Sequence, residues 1–140
     1  MELLVVVAIL GILGGLTGLF LLKYLPEYHL QSASNTLSQD LKSTQVNAVK
    51  RLQTWSVTFV AGSDQTYTIT SPSGPTKTVD LKNYGGEIRF QSIPANPANP
   101  IQFNAEGMRS STGNATIALR NSRGTIITTE VLRTGAIRVK

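Results

Sequence analysis

Glu2-Leu3-Leu4-Val5-Val6-Val7-Ala8-Ile9-Leu10-Gly11-Ile12-Leu13-Gly14-Gly15-Leu16-Thr17-Gly18-Leu19-Phe20-Leu21-Leu22 stands almost at the start of the chain, and no ionisable side chain follows Glu2 until Lys23. At about 1.5 Å of rise per residue, an uncharged run of this length spans roughly 30 Å as an α-helix, the hydrocarbon thickness of a bilayer. A cleaved secretory signal needs a basic segment before a shorter apolar run and a small-residue site after it. Here no Lys or Arg precedes the run, and Lys23-Tyr24-Leu25-Pro26-Glu27-Tyr28 follows it. The expectation is a retained membrane-spanning half-helix over residues 1–24, with Lys23, Tyr24 and Tyr28 as interfacial anchors. A core helix apolar on every face would need a larger protein around it than the remaining chain supplies.

Gly11 and Gly15 are four apart, as are Gly14 and Gly18. Small residues at that spacing let helix backbones approach closely in lipid, so Gly11, Gly14, Gly15 and Gly18 are candidates for lateral helix packing. The competing reading is that glycine is simply common in membrane helices.

From Leu25 to about Gln53 the period is again helical. Leu30, Ala33, Leu37, Leu41, Ala48 and Leu52 recur at steps of three, four or seven, with Thr44 or Gln45 between, and draw one apolar stripe. Pro26 is the only breaker, and its missing donor either kinks or bends the helix. One helix of about 50 residues is expected, with residues 25–54 as its amphipathic half. At Trp55 the period changes to two: Trp55, Val57 and Phe59 alternate with Ser56, Thr58 and Val60. Further strands are predicted at 67–70, 78–81, 87–93, 101–104, 115–120, 125–132 and 136–139. Gly85-Gly86 and Gly113-Asn114 read as hairpin turns. Pro94, Pro97 and Pro100 rule out a central strand between Ile93 and Ile101. The predicted class is α+β: a long N-terminal helix packed on a small antiparallel, β-sandwich-like domain at residues 55–140.

The 140 residues carry no cysteine, a single histidine and a net charge of +5. A thiol nucleophile and a thiolate metal site are therefore excluded, and His29 alone makes neither a zinc site nor half of a triad. The acids Asp40, Asp64, Asp80, Glu87, Glu106 and Glu130 are scattered, and no glycine-rich phosphate loop follows a strand. No enzymatic activity, cofactor, metal or small-molecule substrate is expected. The C-terminal stretch is basic: Arg109, Arg120, Arg123, Arg133, Arg138 and Lys140 stand against Glu106 and Glu130. Such an excess is either a solvated face or a polyanion site.

The segment Glu2 to Leu13 resembles the N-terminus of type IV pilins and type II secretion pseudopilins: an acid, a hydrophobic helix, an amphipathic helix, then a small β domain. The C-terminal part is similar to one branch, the GspH/FimT minor pilins and pseudopilins. It carries Ile101-Gln102-Phe103-Asn104-Ala105-Glu106-Gly107, then two hairpin strands, then Thr134-Gly135-Ala136-Ile137-Arg138-Val139-Lys140. Between Ser63 and Pro100 the likeness is in β character alone. The resemblance implies a pilin-like fold in a single-pass bacterial inner-membrane protein, its β domain in the periplasm or outside the cell, that later joins a filament with other pilin or pseudopilin subunits. It gives Glu2 an assembly role, pairing with the N-terminal amine of a neighbouring subunit; the competing reading leaves Glu2 among headgroups at a helix N-terminus, where the dipole favours an anion.

Two departures stand out. Members carry a short basic leader, a Gly at the cleavage point and usually Phe-Thr-Leu-Ile before the Glu, with the aromatic residue N-methylated, whereas Met1 stands directly before Glu2 here. The expectation is a misassigned start or a recut N-terminus. Ala136 also stands where DNA-binding members tend to have Arg. Secreted cargo or DNA is the remaining partner class, DNA through Arg133, Arg138 and Lys140 with Arg120 and Arg123 in support. A monomeric membrane-anchored binding module is the third reading.

Overall fold

The structure, a computed structural model, describes residues 2–60, 65–85, 87–95 and 99–140; within the first helix the side chains of residues 2, 4 and 16–23 are not described. Helix α1 runs unbroken from Glu2 to Arg51 with Pro26 inside it. Eight strands follow: β1 (Trp55–Phe59), β2 (Thr66–Thr70), β3 (Lys77–Asp80), β4 (Arg89–Ser92), β5 (Ile101–Phe103), β6 (Ala115–Arg120), β7 (Ile126–Val131) and β8 (Ile137–Val139), with a short 3₁₀ turn at Leu81–Tyr84 after β3. They form two four-stranded sheets, ordered β3-β2-β1-β5 and β4-β6-β7-β8. Every pairing is antiparallel, with Val57 opposite both Ile69 and Ile101, and Val131 opposite Ile137.

The amphipathic half of α1 packs against both sheets. Leu30, Ala33, Leu37, Leu41 and Ala48 are fully buried, so the predicted stripe is the core face. Each buried leucine contributes roughly 1.5–3 kcal/mol relative to exposure. Thr44, not Gln45, completes the stripe. Its hydroxyl is satisfied locally by donating to the Asp40 carbonyl at 2.6 Å. Between the sheets, Phe59 and Tyr67 of the first meet Phe90 of the second at centroid separations of 5.4 and 6.4 Å, both edge to face.

Three expectations are corrected. Leu52 is not on the stripe: it is 76% exposed. The helix has already ended, because the Gln53 amide donates to the Ala48 carbonyl (3.1 Å) and the Leu52 amide to Val49 (3.3 Å), a Schellman closure that puts Leu52 at φ 51°. Gly113-Asn114 does not join a hairpin, since β5 belongs to the first sheet and β6 to the second; residues 104–114 are a crossover. Gly85 likewise follows the 3₁₀ turn on the way from β3 to β4, and Gly86 lies outside the described residues. Among the described residues no helix is long and apolar enough to cross a membrane. The expected span over residues 1–24 runs through positions 16–23, whose side chains lie outside the described residues.

Between Ile93 and Ile101 the described residues form no strand, as the prolines require. There the Asn99 side chain takes a strand's part beside β1, accepting from the Phe59 amide (3.1 Å) and donating to its carbonyl (2.8 Å).

At the far end of the domain, the Gln45 amide donates to the Gly107 carbonyl at 2.7 Å. Gly135 sits against the same pair at φ 86°; a Cβ there would lie 2.2 Å from the Gly107 oxygen and 2.3 Å from Gln45 Nε2. Gly135→Ala should therefore cost roughly 2–4 kcal/mol, seen as a lowered thermal midpoint in circular dichroism melts. Leu52→Gly should act oppositely. It releases a left-handed conformation that costs a side chain about 1–2 kcal/mol and should raise the midpoint by a few degrees in the same melts.

Candidate functional site

The first half of α1 stands clear of the β domain. Leu3, Val5, Val6, Val7, Ile9, Leu10, Ile12 and Leu13 are all more than half exposed, Leu3 at 79%. Nothing lies within 4 Å of where a Cβ would stand on Gly11, Gly14 or Gly15, so these three are open for a neighbouring backbone to approach. Gly18 and the Glu2 carboxylate lie outside the described side chains. An apolar surface of this extent is far more than an isolated soluble protein leaves in water, and it requires lipid or protein to cover it.

The predicted basic residues do not form one cluster. The antiparallel register puts Arg120, opposite Ile126, at the start of β7, and Arg138, opposite Glu130, near its end. Arg123 lies in the turn between β6 and β7, and Arg133 beyond the other end of β7, about 20 Å away at 3.3 Å per strand residue. Arg138 and Lys140 flank Glu130, with Lys140 Nζ 3.1 Å from its Oε2. That ammonium, by hydrogen bond and charge, holds the Glu130 carboxyl below its ordinary 4.5, helped by Asn114 and Arg138. The C-terminal strand is thus partly neutralised by its own sheet.

Two polar arrangements escaped the sequence reading. The Tyr67 hydroxyl donates to Asp40 Oδ2 at 2.7 Å, while Lys77 Nζ lies 3.1 Å from Oδ1. This joins α1 to β2 and β3. Burial, then the hydrogen bond to the Asp40 carboxylate, pushes the Tyr67 phenol well above its ordinary 10.0. Arg109 is 3% exposed and donates to the Val131 and Thr112 carbonyls at 3.4 and 3.3 Å, with Nε unpaired. Burial lowers its pKa. A scattered Asp and an Arg in a turn carry no periodic signal, so neither pairing was legible. His29 packs beside Gly85 on the flank of α1. Among the described residues no cluster of His, Asp and Glu could hold a metal ion.

Residues 33–135 match the family model described as type II transport protein GspH. The chain belongs to the GspH family. No curated protein matches it in sequence. Two crystal forms of the type IV minor pilin FimU from Pseudomonas aeruginosa strain PAO1 share its fold. One superimposes with a TM-score of 0.65 at 18% identity, covering 79% of this chain and 87% of that one. The other gives 0.62 at 19% identity, covering 79% and 92%. The matched region begins within the amphipathic half of α1, takes in β1 to β7, and stops at Gly135, before β8. This chain thus presents an uncovered apolar half-helix and a β domain with its charges spread over both ends.

Tyr67→Phe should cost about 1.5–3 kcal/mol, since it leaves a largely buried carboxylate short of a donor; urea unfolding measures it. The folded chain keeps the Tyr67 proton that the unfolded chain releases near pH 10. Stability from this group is therefore complete below pH 10 and lost as pH rises beyond it. Melts taken above pH 10 should show a shallower fall for Tyr67→Phe than for the parent.

Proposed function

We propose that this chain is a non-enzymatic structural subunit, a minor pilin or pseudopilin of a type IV pilus tip or a type II secretion pseudopilus. The uncovered apolar half of α1 carries the proposal, and the family membership supports it. Before assembly residues 1–24 lie in the bacterial inner membrane, with the β domain on the periplasmic side. On assembly the same surface leaves lipid for a bundle of other pilin helices. Lipid tails are as apolar as leucine, so close packing at Gly11, Gly14, Gly15 and Gly18, not water expulsion, selects the partners.

Glu2 sets the axial position in this scheme. A carboxylate near hydrocarbon costs roughly 3 kcal/mol on insertion scales. Pairing with the terminal amine of a neighbouring subunit offsets that cost in the filament and nowhere else.

DNA capture has less support. Arg133 is remote from Arg120 and Arg123, and Arg138 and Lys140 share Glu130. If DNA is nevertheless the partner, the full chain in detergent should retard duplex DNA at low salt and release it near physiological salt. The monomeric-module alternative leaves the apolar half-helix in lipid permanently, and absence from sheared filament fractions would favour it.

Glu2→Ala should leave the protein in the membrane fraction and lower its amount in sheared filaments by about a hundredfold, the equivalent of the carboxylate's cost of roughly 3 kcal/mol. Immunoblots of the sheared and membrane fractions read both. Undiminished incorporation overturns the role given to Glu2.

A further inference from the structure

In the crossover from β5 to β6, Arg109 is bridged to Phe103, and its amide donates to the Arg133 carbonyl at 3.0 Å. That bond brings two arginines together from distant parts of the chain. Arg109 is 3% exposed, and its guanidinium donates to main-chain oxygens, the Val131 carbonyl at 3.4 Å and the Thr112 carbonyl at 3.3 Å. Both contacts are long for a charged donor, and the buried Nε–H has no partner. Among the described residues no carboxylate balances this charge. Glu130, next to Val131 in β7, is taken by Lys140 and Asn114. Burial acts on the Arg109 pKa with no acid opposing it. A buried cation without a counter-charge is costly, and folded proteins pair such groups.

Arg109 lines a pocket of about 230 Å³ together with Asn104, Met108, Ser110, Thr112 and Arg133, and no acid belongs to this lining. Arg133 is exposed and forms no ion pair among the described residues. Ser110 and Thr112 add hydroxyls, and Met108 adds an apolar flank for methylene groups. The pocket is therefore built for an anion carried on a short aliphatic arm.

Height and depth select the source of that anion. Gln45, which bonds Gly107 beside this crossover, stands about 30 Å of helical rise beyond residue 24. Headgroups of a bilayer around residues 1–24 are out of reach from there. A duplex phosphate is flanked by sugars on a broad backbone and does not come down to a guanidinium that is almost wholly covered. A carboxylate at the end of a side chain does. We propose that the Arg109–Arg133 pocket receives a carboxylate, an Asp or Glu side chain or a chain terminus, from a neighbouring subunit in the filament. The planar fork of Arg109 matches the two carboxylate oxygens, and Arg133 adds its charge from the exposed side. Arg109 is already desolvated by folding, so the incoming acid bears only its own desolvation. The choice of partner rests on the reading of this chain as a filament subunit.

The test follows the Arg109 Nε–H resonance of the full isotope-labelled chain in detergent micelles, assigned by its loss in Arg109→Lys. Sodium acetate replaces sodium chloride at constant ionic strength. The resonance is expected to move and to saturate, with a midpoint at roughly 10–50 mM acetate, the range of one charge-assisted pair. Arg133→Gln, an exposed change, should raise that midpoint about threefold, and Arg133→Lys should leave it near the parent's. An unmoved resonance overturns the site. Inorganic phosphate saturating it at lower concentration than acetate, or duplex DNA moving it, assigns the pocket to a phosphate and also overturns the proposal. In cells, Arg133→Glu should stay in the membrane fraction and fall about tenfold in sheared filaments. Undiminished incorporation of that variant overturns a neighbouring subunit as the source of the carboxylate. Absence of the parent chain from filaments overturns the subunit reading itself, and the proposed partner with it, whatever the resonance does.

Discussion

One helix must satisfy two surroundings. Beyond Leu30, α1 buries a single stripe against two sheets, and Leu30, Ala33, Leu37, Leu41 and Ala48 are the surface on which both sheets close. Before that point none of its described side chains belongs to the core. The sheets share no strand, and their inward side chains join the helix stripe in one continuous core. Losing the stripe would separate the halves of the β domain as well as detach it from the helix.

The features legible in the sequence are those written as a period. The 3.6-residue stripe, the switch to alternation at Trp55 and the strand at Ala115–Arg120 all depend on neighbours in the chain, and local sterics decide them. The uncovered apolar half-helix was legible for the same reason. What escaped depends on pairing at long range. Asp40 reads as an unremarkable helical acid until β2 and β3 bring Tyr67 and Lys77 to it. Leu52 fits the stripe in sequence and leaves it in space, because backbone closure onto Ala48 outweighs burial of one side chain.

The basic residues show the same limit from another side. Counting along the chain gathers Arg120, Arg123, Arg133, Arg138 and Lys140 into one group, whereas antiparallel folding sends alternate turns to opposite ends. Arg89 of β4, some thirty positions earlier in the chain, is the residue that stands directly opposite Arg120. Charge clusters in β domains are set by register, and register is not a property of composition.

Both ends of the β domain are fastened to α1, through Asn121 to Pro26 below and through Gln45 to Gly107 above. The upper joint is also where Gly135 wedges in, bringing the last hairpin to the same point. A pull along the rod therefore enters the domain through two separated bolts and not through one. Under tension the domain would shear as a unit along the helix instead of peeling strand by strand, and shear loading breaks many weak contacts at once.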